Sequence, residues 1–188
     1  MTQITPELIK EVHKHSDVIV SESELMAAFD RLALALTDDF SESNPIFVCC
    51  MNGGLFSTSE VLKRLSFPLQ IDYVHATRYR KNKDGSINWI KTPNINPEGR
   101  VVILVDDILD GGVTLAEVKK YYQNKKVKAV KTLVTLDKRA PREASGLEKC
   151  DYKGLSIENR YVYGLGLDYH GYLRNIPAIH AVHPKHMI

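Results

Sequence analysis

Val101–Leu115 reads Val-Val-Ile-Leu-Val-Asp-Asp-Ile-Leu-Asp-Gly-Gly-Val-Thr-Leu, and this stretch decides the fold class. Five aliphatic residues in a row predict a strand buried on both faces, which is typical of a parallel sheet covered by helices. The strand is expected to end at Val105, so that Asp106 and Asp107 fall at its carboxyl end. Ligands of open α/β sheets bind at that end of the strands, so functional residues are expected there.

A glycine-containing loop follows the strand and opens a predicted helix. In Asp110–Thr114, two glycines let the backbone approach a phosphate closely, and the loop amides, the Thr114 hydroxyl and the positive helix end make an anion pocket. Neighbouring carboxylates such as Asp106 and Asp107 are costly to bury unless they meet cations or hydroxyl donors, and a sugar diol supplies such donors. The stretch therefore indicates a ribose-phosphate ligand. The alternative is a surface turn in which Asp110 caps the helix.

The rest of the chain alternates between predicted helices and strands. Ser21 and Glu24 form a capping box ahead of apolar residues at helical spacing, and this helix is expected to end near Ser41. The other predicted elements are strands over Ile46–Met51, Leu69–Val74, Val127–Leu136 and Ser156–Gly164, and helices over Ser57–Leu65 and Leu115–Tyr122. This alternation predicts an α/β protein with a central, mainly parallel sheet flanked by helices.

The length of 188 residues suits a single domain spanning 1–188. The segments 1–20 and 168–188 do not fit the alternation, and we expect them to form a small hood over one edge of the sheet. Residues 77–100 are polar and basic. Because a long polar excursion from a compact domain is often a lid, we expect a flexible lid there.

The composition argues against several classes of protein. The 25 basic and 23 acidic residues give a formal net charge of +2, which does not indicate binding to nucleic acid or to an anionic membrane. No apolar run approaches the roughly 18 residues that span a bilayer, and Met1–Lys10 lacks the pattern of a secretory signal. Cys49, Cys50 and Cys150 suit neither a disulfide framework nor a zinc site. These observations favour a cytoplasmic protein with small-molecule ligands.

Val101–Leu115 resembles the phosphoribosyl-pyrophosphate (PRPP) signature of the type I phosphoribosyltransferase family, and further motifs follow in register between residues 46 and 174. The resemblance implies the fold of that family, Mg²⁺ as cofactor, and a homo-oligomer, either a dimer or a tetramer. It implies that Asp106 and Asp107 hold the ribose hydroxyls and are possible Mg²⁺ ligands, and that Asp110 is the catalytic base for the purine N7 proton. The loop implied to bind the 5′-phosphate consists of Asp110, Gly111, Gly112, Val113 and Thr114.

Two further segments resemble the parts of this family that bind pyrophosphate. The turn Met51-Asn52-Gly53-Gly54 resembles one whose amides bind pyrophosphate, often next to a non-proline cis peptide. Many members carry lysine at the position of Asn52, so the backbone amides of Asn52 and Gly53 are expected to bind while the side-chain charge is missing. Arg174 matches an arginine that binds pyrophosphate, for which a bidentate guanidinium is well suited.

The purine site is implied by resemblance to the hypoxanthine-guanine branch. Lys138–Arg142 reads Lys-Arg-Ala-Pro-Arg, and in that branch the lysine donates to the purine 6-oxo group. An ammonium selects a carbonyl over an amino group. The segment Tyr161–Tyr169 also resembles that branch. The resemblance implies that Tyr161 stacks on the purine and that the backbone of Val162 contacts the edge of the base. It implies that Asp168 belongs to the purine site and helps to hold Mg²⁺ and pyrophosphate. On residues alone, Lys138 could be an exposed lysine and Tyr161 a core aromatic.

The lid residues implied by the resemblance are Arg78 and Tyr79, where the family commonly has Ser-Tyr. The implied activity is purine salvage: a 5-phosphoribosyl group passes from PRPP to N9 of hypoxanthine or guanine, giving IMP or GMP and pyrophosphate. Three alternatives remain open at this point. They are a transferase for another base such as xanthine, a non-catalytic regulator that binds PRPP on the same fold, and a PRPP-binding enzyme of the pyrophosphokinase type.

Overall fold

A computed structural model of the protein describes residues 3–78 and 87–188. The helices in this part of the chain are α1 (Pro6–His15), α2 (Glu22–Phe40), α3 (Gly54–Leu62) and α4 (Val113–Gln123), with a short 3₁₀ helix at Pro184–His186. The strands are β1 (Asp17–Val20), β2 (Ile46–Met51), β3 (Gln70–Arg78), β4 (Ile87–Lys91), β5 (Val101–Leu109), β6 (Ala129–Arg139), β7 (Tyr152–Glu158), β8 (Val162–Tyr163) and β9 (Ile179–Ala181). None of these helices is long and apolar enough to cross a membrane.

The main sheet has six strands in the order β4-β3-β2-β5-β6-β7, and all neighbours are parallel except β3 and β4. Its central strand β5 is buried on both faces. Ile103 and Val105 pack with residues of α2 on one face, while Val102 and Leu104 pack with residues of α4 on the other. The predicted α/β class with a mainly parallel, helix-flanked sheet is therefore confirmed.

Helix α2 begins and ends where its local sequence predicts. The Ser21 backbone N–H donates to Glu24 Oε2 at 2.8 Å and the Glu24 N–H donates back to Ser21 Oγ at 3.3 Å, so the capping box is formed. Leu25 and Phe29 are fully buried against the sheet, and Ser41 caps the other end. The stop follows from the lack of further apolar residues at helical spacing.

Several element boundaries differ from the prediction, and three of the differences bear on the site and the sheets. Strand β5 continues to Leu109 because its pairing with β6 extends past Val105, so Asp106 and Asp107 lie inside the strand. Helix α3 begins at Gly54, directly after the turn, because a residue without a side chain lets the helix approach the backbone of Val105. The prediction of one strand over Ser156–Gly164 is wrong, because β7 ends at Glu158 and β8 belongs to a different sheet.

A second, antiparallel sheet has three short strands in the order β1-β9-β8. It combines chain from both ends of the protein, and a small apolar cluster that includes Val12, Tyr169 and Val182 fills the space beside it. The sheet also includes β8 (Val162–Tyr163), because β8 pairs with β9. Strand β8 lies outside the residue bounds predicted for the hood. The hood as a functional unit stays a prediction.

The predicted lid range is only partly described. Strand β4 pairs antiparallel with β3, and beyond it the backbone N–H groups of Asn94 and Ile95 donate to the buried Asp72 carboxylate at 2.7 and 2.8 Å. Strand β4 thus forms the edge of the sheet, and the flexible lid stays a prediction. Tyr79 and the side chain of Arg78, the two residues assigned to the lid, lie outside the described part of the chain.

Candidate active site

The turn after β2 packs directly against the acidic pair of β5. The Met51–Asn52 peptide bond is cis, and Gly53 then lies so close to β5 that a Cβ atom there would be 2.5 Å from Asp107 Cγ. Gly166, with a φ of +102°, packs its backbone on Gly53 from the other side, where any side chain would overlap the Gly53 carbonyl oxygen. Three separate segments of chain therefore meet around the Asp107 carboxylate.

The acidic pair is held in surroundings that disfavour its charge. Burial, followed by the charge of Asp107, raises the pKa of Asp106 well above its usual range. Burial likewise raises the pKa of Asp107 to about 6, although the nearby Arg174 guanidinium lowers it. The Asp107 backbone N–H donates to Asp106 Oδ1 at 3.0 Å. A bound cation or a pair of hydroxyl donors would therefore relieve an existing electrostatic cost.

Arg174 is oriented by two contacts beside this pair. Its Nη2 lies 2.7 Å from Asp168 Oδ1, and its Nη1 donates to the Gly166 carbonyl oxygen. Asp168 Oδ2 in turn accepts from the Gly171 N–H at 2.7 Å. The guanidinium is therefore ordered at the edge of the site, and both carboxylate oxygens of Asp168 already accept hydrogen bonds.

A cleft of about 250 Å³ opens among the carboxyl ends of β2, β3 and β5. Four of the segments that the sequence marked as functional contribute to its wall: the turn, the acidic pair, the start of α4 and the segment of Arg174. The lining residues are Cys50, Met51, Asn52, Gly53, Val74, His75, Ala76, Thr77, Asp106, Asp107, Thr114, Val118 and Arg174. Tertiary structure thus brings together the residues predicted for ribose and pyrophosphate.

The predicted phosphate loop leads into α4 through a left-handed residue. Gly112 has a φ of +80°, and a Cβ there would lie 2.7 Å from the backbone N and O atoms of Leu147. The Leu147 N–H donates to the Gly112 carbonyl oxygen at 3.1 Å. Glycine is needed here for both backbone conformation and close approach, and the first N–H groups of α4 remain available for an anion.

Asp110, the first residue of this loop, forms an ion pair with Lys138. Lys138 Nζ lies 2.7 Å from Asp110 Oδ2, and the lysine side chain is 10% exposed while the aspartate side chain is 53% exposed. The pair forms because β5 and β6 are neighbours and run parallel, so that their carboxyl ends coincide. An acceptor and a donor thus stand side by side, with the carboxylate open to solvent.

The family follows from comparison with known proteins. Residues 15–170 match the family model described as the phosphoribosyl transferase domain. The chain belongs to the phosphoribosyltransferase family. The hypoxanthine-guanine-xanthine phosphoribosyltransferase of Tritrichomonas foetus is 32% identical over 163 residues, which cover 86% of this chain and 88% of that protein.

Two further phosphoribosyltransferases are similar over nearly the whole chain. The hypoxanthine-guanine phosphoribosyltransferase of Bacillus subtilis is 28% identical over 174 residues, covering 92% of this chain and 96% of that protein. The crystal structure of a hypoxanthine phosphoribosyltransferase from Staphylococcus aureus is 25% identical, with a TM-score of 0.87 and coverage of 99% of this chain and 100% of that one. The structural similarity to the Staphylococcus aureus protein covers almost the whole chain.

For this phosphoribosyltransferase, the residues implied for the purine do not line the 250 Å³ cleft. Val162 is buried in β8, and Tyr161 precedes it with its ring 5.7 Å from that of Tyr169. Sequence reasoning also missed the close approach of Gly166 to Gly53. The glycines of Gly164-Leu165-Gly166 were the available signal, but a glycine alone does not reveal which backbone it will meet.

Proposed function

We propose that this phosphoribosyltransferase transfers the 5-phosphoribosyl group of PRPP to N9 of hypoxanthine or guanine, releasing pyrophosphate and forming IMP or GMP for purine salvage. The observation that carries the proposal is the Lys138–Asp110 pair, 2.7 Å apart and adjacent to the phosphate loop. The named activities of the relatives from Tritrichomonas foetus and Bacillus subtilis support it.

The pair matches one edge of a 6-oxopurine. On that edge O6 is a hydrogen-bond acceptor and a protonated N7 is a donor. The Lys138 ammonium can donate to O6 while the Asp110 carboxylate accepts from N7–H and takes that proton as N9 bonds to the ribose. Adenine would set its 6-amino donor against the ammonium, leaving two donors facing each other, which favours the 6-oxo bases. Tyr161 and Val162 are proposed to complete the base site by stacking and by backbone contact.

The ribose and phosphate groups are assigned to the cleft and the loop. Asp106 and Asp107 are proposed to accept from the ribose hydroxyls, because hydroxyl donors would offset the desolvation that raises the pKa of both carboxyl groups. The loop from Asp110 to Thr114 would hold the 5′-phosphate. The amides of Asn52 and Gly53, with Arg174, would bind the pyrophosphate. The C1′–oxygen bond to pyrophosphate breaks with its electron pair on the leaving group, and the C1′–N9 bond forms.

Mg²⁺ is proposed as the cofactor. The carboxylates of Asp106 and Asp107 offer the hard oxygen ligands that Mg²⁺ prefers. Burial raises the pKa of both groups, and a bound cation would stabilise their charged forms. Among the described residues no group of three or more histidine, cysteine or acidic side chains could hold a metal ion, so substrate phosphates would supply most ligands. Mg²⁺ bound in this way would neutralise charge on the leaving pyrophosphate. Asp168 is proposed to contribute only through the lone pairs left free by Arg174 and Gly171.

The base preference is tested by competition. The protein is incubated with Mg²⁺, PRPP and an equal mixture of hypoxanthine, guanine, xanthine and adenine, and the nucleotides are identified by mass spectrometry. We expect IMP and GMP, and no AMP. Dominant formation of the xanthine nucleotide would favour the transferase for another base. Absence of pyrophosphate release with every base would favour the non-catalytic regulator.

The proton acceptor is tested by substitution. Asp110→Asn keeps the shape of the side chain but removes its basicity, so we expect kcat with hypoxanthine to fall about 100-fold or more. The matched control is Asp38→Asn, an exposed carboxylate near the end of α2. Turnover of Asp110→Asn near that of the wild type would show that another group accepts the proton.

We also propose a homo-oligomer and a cytoplasmic location. Leu55, Ile71 and Tyr73 are 48%, 59% and 45% exposed around an apolar groove of about 800 Å³ between α3 and β3, a face that a second copy could cover. Mass photometry should give a dimer or tetramer, and Tyr73→Asp should reduce the oligomer if this face is used. All three cysteines are unpaired, which supports a reducing compartment.

A further inference from the structure

Arg142 links the carboxyl end of β5, which Asp110 follows directly, to the end of β6, which contains Lys138. It lies in the segment after β6, at the end of the Lys-Arg-Ala-Pro-Arg motif. Its Nη1 shares its two N–H groups among three backbone carbonyl oxygens: those of Leu109 at 2.9 Å, Asp110 at 2.8 Å and Lys138 at 2.9 Å. One nitrogen atom therefore fixes the backbone of both residues assigned to the purine edge.

The guanidinium is itself anchored. Its Nη2 donates to Asp137 Oδ1, and Asp137 Oδ2 lies 3.3 Å from Lys153 Nζ. The side chains of Arg142 and Asp137 are only 16% and 21% exposed, so salt screens this pair less than an exposed one. A planar guanidinium presents its donors in a rigid fork, which suits a group that holds several acceptors at fixed positions.

The residues after Arg142 support the phosphate loop in the same way. The Glu143 N–H donates to the Gly111 carbonyl oxygen at 3.1 Å, and the Leu147 N–H donates to that of Gly112 at 3.1 Å. The loop has these backbone anchors whether or not the guanidinium is present. Loss of the Arg142 side chain should therefore affect the purine edge more than the phosphate site.

We propose that Arg142 is a positioning residue that sets the separation and direction of the Asp110 carboxylate and the Lys138 ammonium. This inference rests on the proposed function, because Asp110 and Lys138 receive their purine roles there. It assigns to Arg142 no contact with substrate. Its effect passes through the two backbone carbonyls and the side chains attached to the same residues.

The test compares Arg142→Ala and Arg142→Lys with a matched control, Arg139→Ala, which removes an exposed arginine of the same motif. For Arg142→Ala we expect kcat/KM for hypoxanthine to fall about 100-fold, since a misplacement near 1 Å costs about that much. KM for PRPP should stay within about threefold of the wild-type value, and Arg139→Ala should behave like the wild type. Arg142→Lys should remain impaired, because one ammonium cannot hold three carbonyls and a carboxylate in the geometry of the guanidinium.

Chemical rescue separates positioning from general loss of structure. Millimolar guanidinium chloride should restore part of the hypoxanthine turnover of Arg142→Ala, whereas ammonium chloride at the same concentration should not. Thermal melting of each variant is measured alongside.

Several results would overturn the inference. A wild-type value of kcat/KM for hypoxanthine in either Arg142 variant would overturn it. An Arg142→Ala protein that loses PRPP binding and hypoxanthine turnover equally, and whose turnover guanidinium does not restore, would also overturn it. A wild-type protein inactive with every 6-oxopurine would refute the proposed function and this inference with it. An active wild type with unaffected variants would refute the inference alone.

Discussion

Replacing Gly53 by alanine should damage the site while leaving the fold nearly intact. Gly53 has φ and ψ of −59° and −46°, an ordinary right-handed conformation that alanine adopts freely. Its new Cβ would lie 2.5 Å from Asp107 Cγ, whereas ordinary contacts begin near 3.4 Å. The new Cβ would also overlap Asp107 Oδ2, so the carboxylate must move by at least about 1 Å, and this side chain can do so by rotating without disturbing the core.

The main expected effect of Gly53→Ala is weaker binding of PRPP. A displacement near 1 Å at a group that holds substrate can lower the reaction rate about 100-fold. Loss of one hydrogen bond to a charged group, about 1.5–3 kcal/mol, would weaken substrate binding by a similar factor. We therefore expect KM for PRPP, measured at saturating Mg²⁺ and hypoxanthine, to rise about 10- to 100-fold in Gly53→Ala. The melting temperature should change by only about 3 °C or less, corresponding to under about 1 kcal/mol.

A double-mutant cycle with Asp107→Ala tests whether the clash with this carboxylate causes the effect. Because the clash is with the Asp107 carboxylate, Gly53→Ala should have little further effect on KM for PRPP once that carboxylate is gone. Gly54→Ala is the contrasting control, since its Cβ would meet the backbone oxygen of Val105 at 2.5 Å and should lower the melting temperature instead. Fully additive effects of the Gly53 and Asp107 substitutions would refute the argument.

Three further predictions concern pH, the phosphate loop and the core. Because burial raises the pKa of Asp107 to about 6 from a usual value near 3.9, protonation favours the folded state. The wild type should therefore lose stability relative to Asp107→Asn as pH rises from about 4 through 6. A melting-temperature difference that is constant between pH 4 and pH 8 would contradict this. Gly112 has a φ of +80°, and the Cβ of an alanine there would lie 2.7 Å from the Leu147 backbone. Gly112→Ala should therefore destabilise the protein by about 1 kcal/mol or more and weaken IMP binding measured by calorimetry. Unchanged affinity for IMP would argue against a phosphate role for this loop. Ser57→Ala breaks a fully buried 2.6 Å hydrogen bond to Thr135, so urea unfolding should show a loss of about 1–3 kcal/mol, and no loss would mean that the Thr135 hydroxyl finds another partner.

Local sequence predicted the elements whose signals are short-range. The capping box at Ser21 and Glu24 sets the start of α2, and the apolar runs of β2 and β5 are long enough to require burial on both faces. The PRPP signature between Val101 and Leu115 is also local, because a strand end, a turn and a helix start are consecutive in the chain. For this reason the fold class could be read from the sequence, whereas the roles of the residues assigned to ribose and phosphate stay predictions.

The boundaries that depend on a distant partner could not be read in this way. β5 extends to Leu109 only because β6 continues beside it, and β8 exists only because β9 pairs with it. The apolar pattern of the chain is the same whether or not those partners are present, so periodicity alone places the ends elsewhere.

Sequence alone therefore determined that this protein has a helix-flanked, mainly parallel sheet and a stretch that resembles the PRPP signature, and it predicted a purine-binding role for Lys138. Only tertiary structure decided that Lys138 pairs with Asp110, that Gly53 and Gly166 meet beside Asp107, and that one guanidinium spans the ends of β5 and β6. The physical reason is that these contacts join residues 28 or more positions apart, or depend on backbone atoms that every residue shares. Their partners are chosen by strand order and register, which no short stretch of sequence contains.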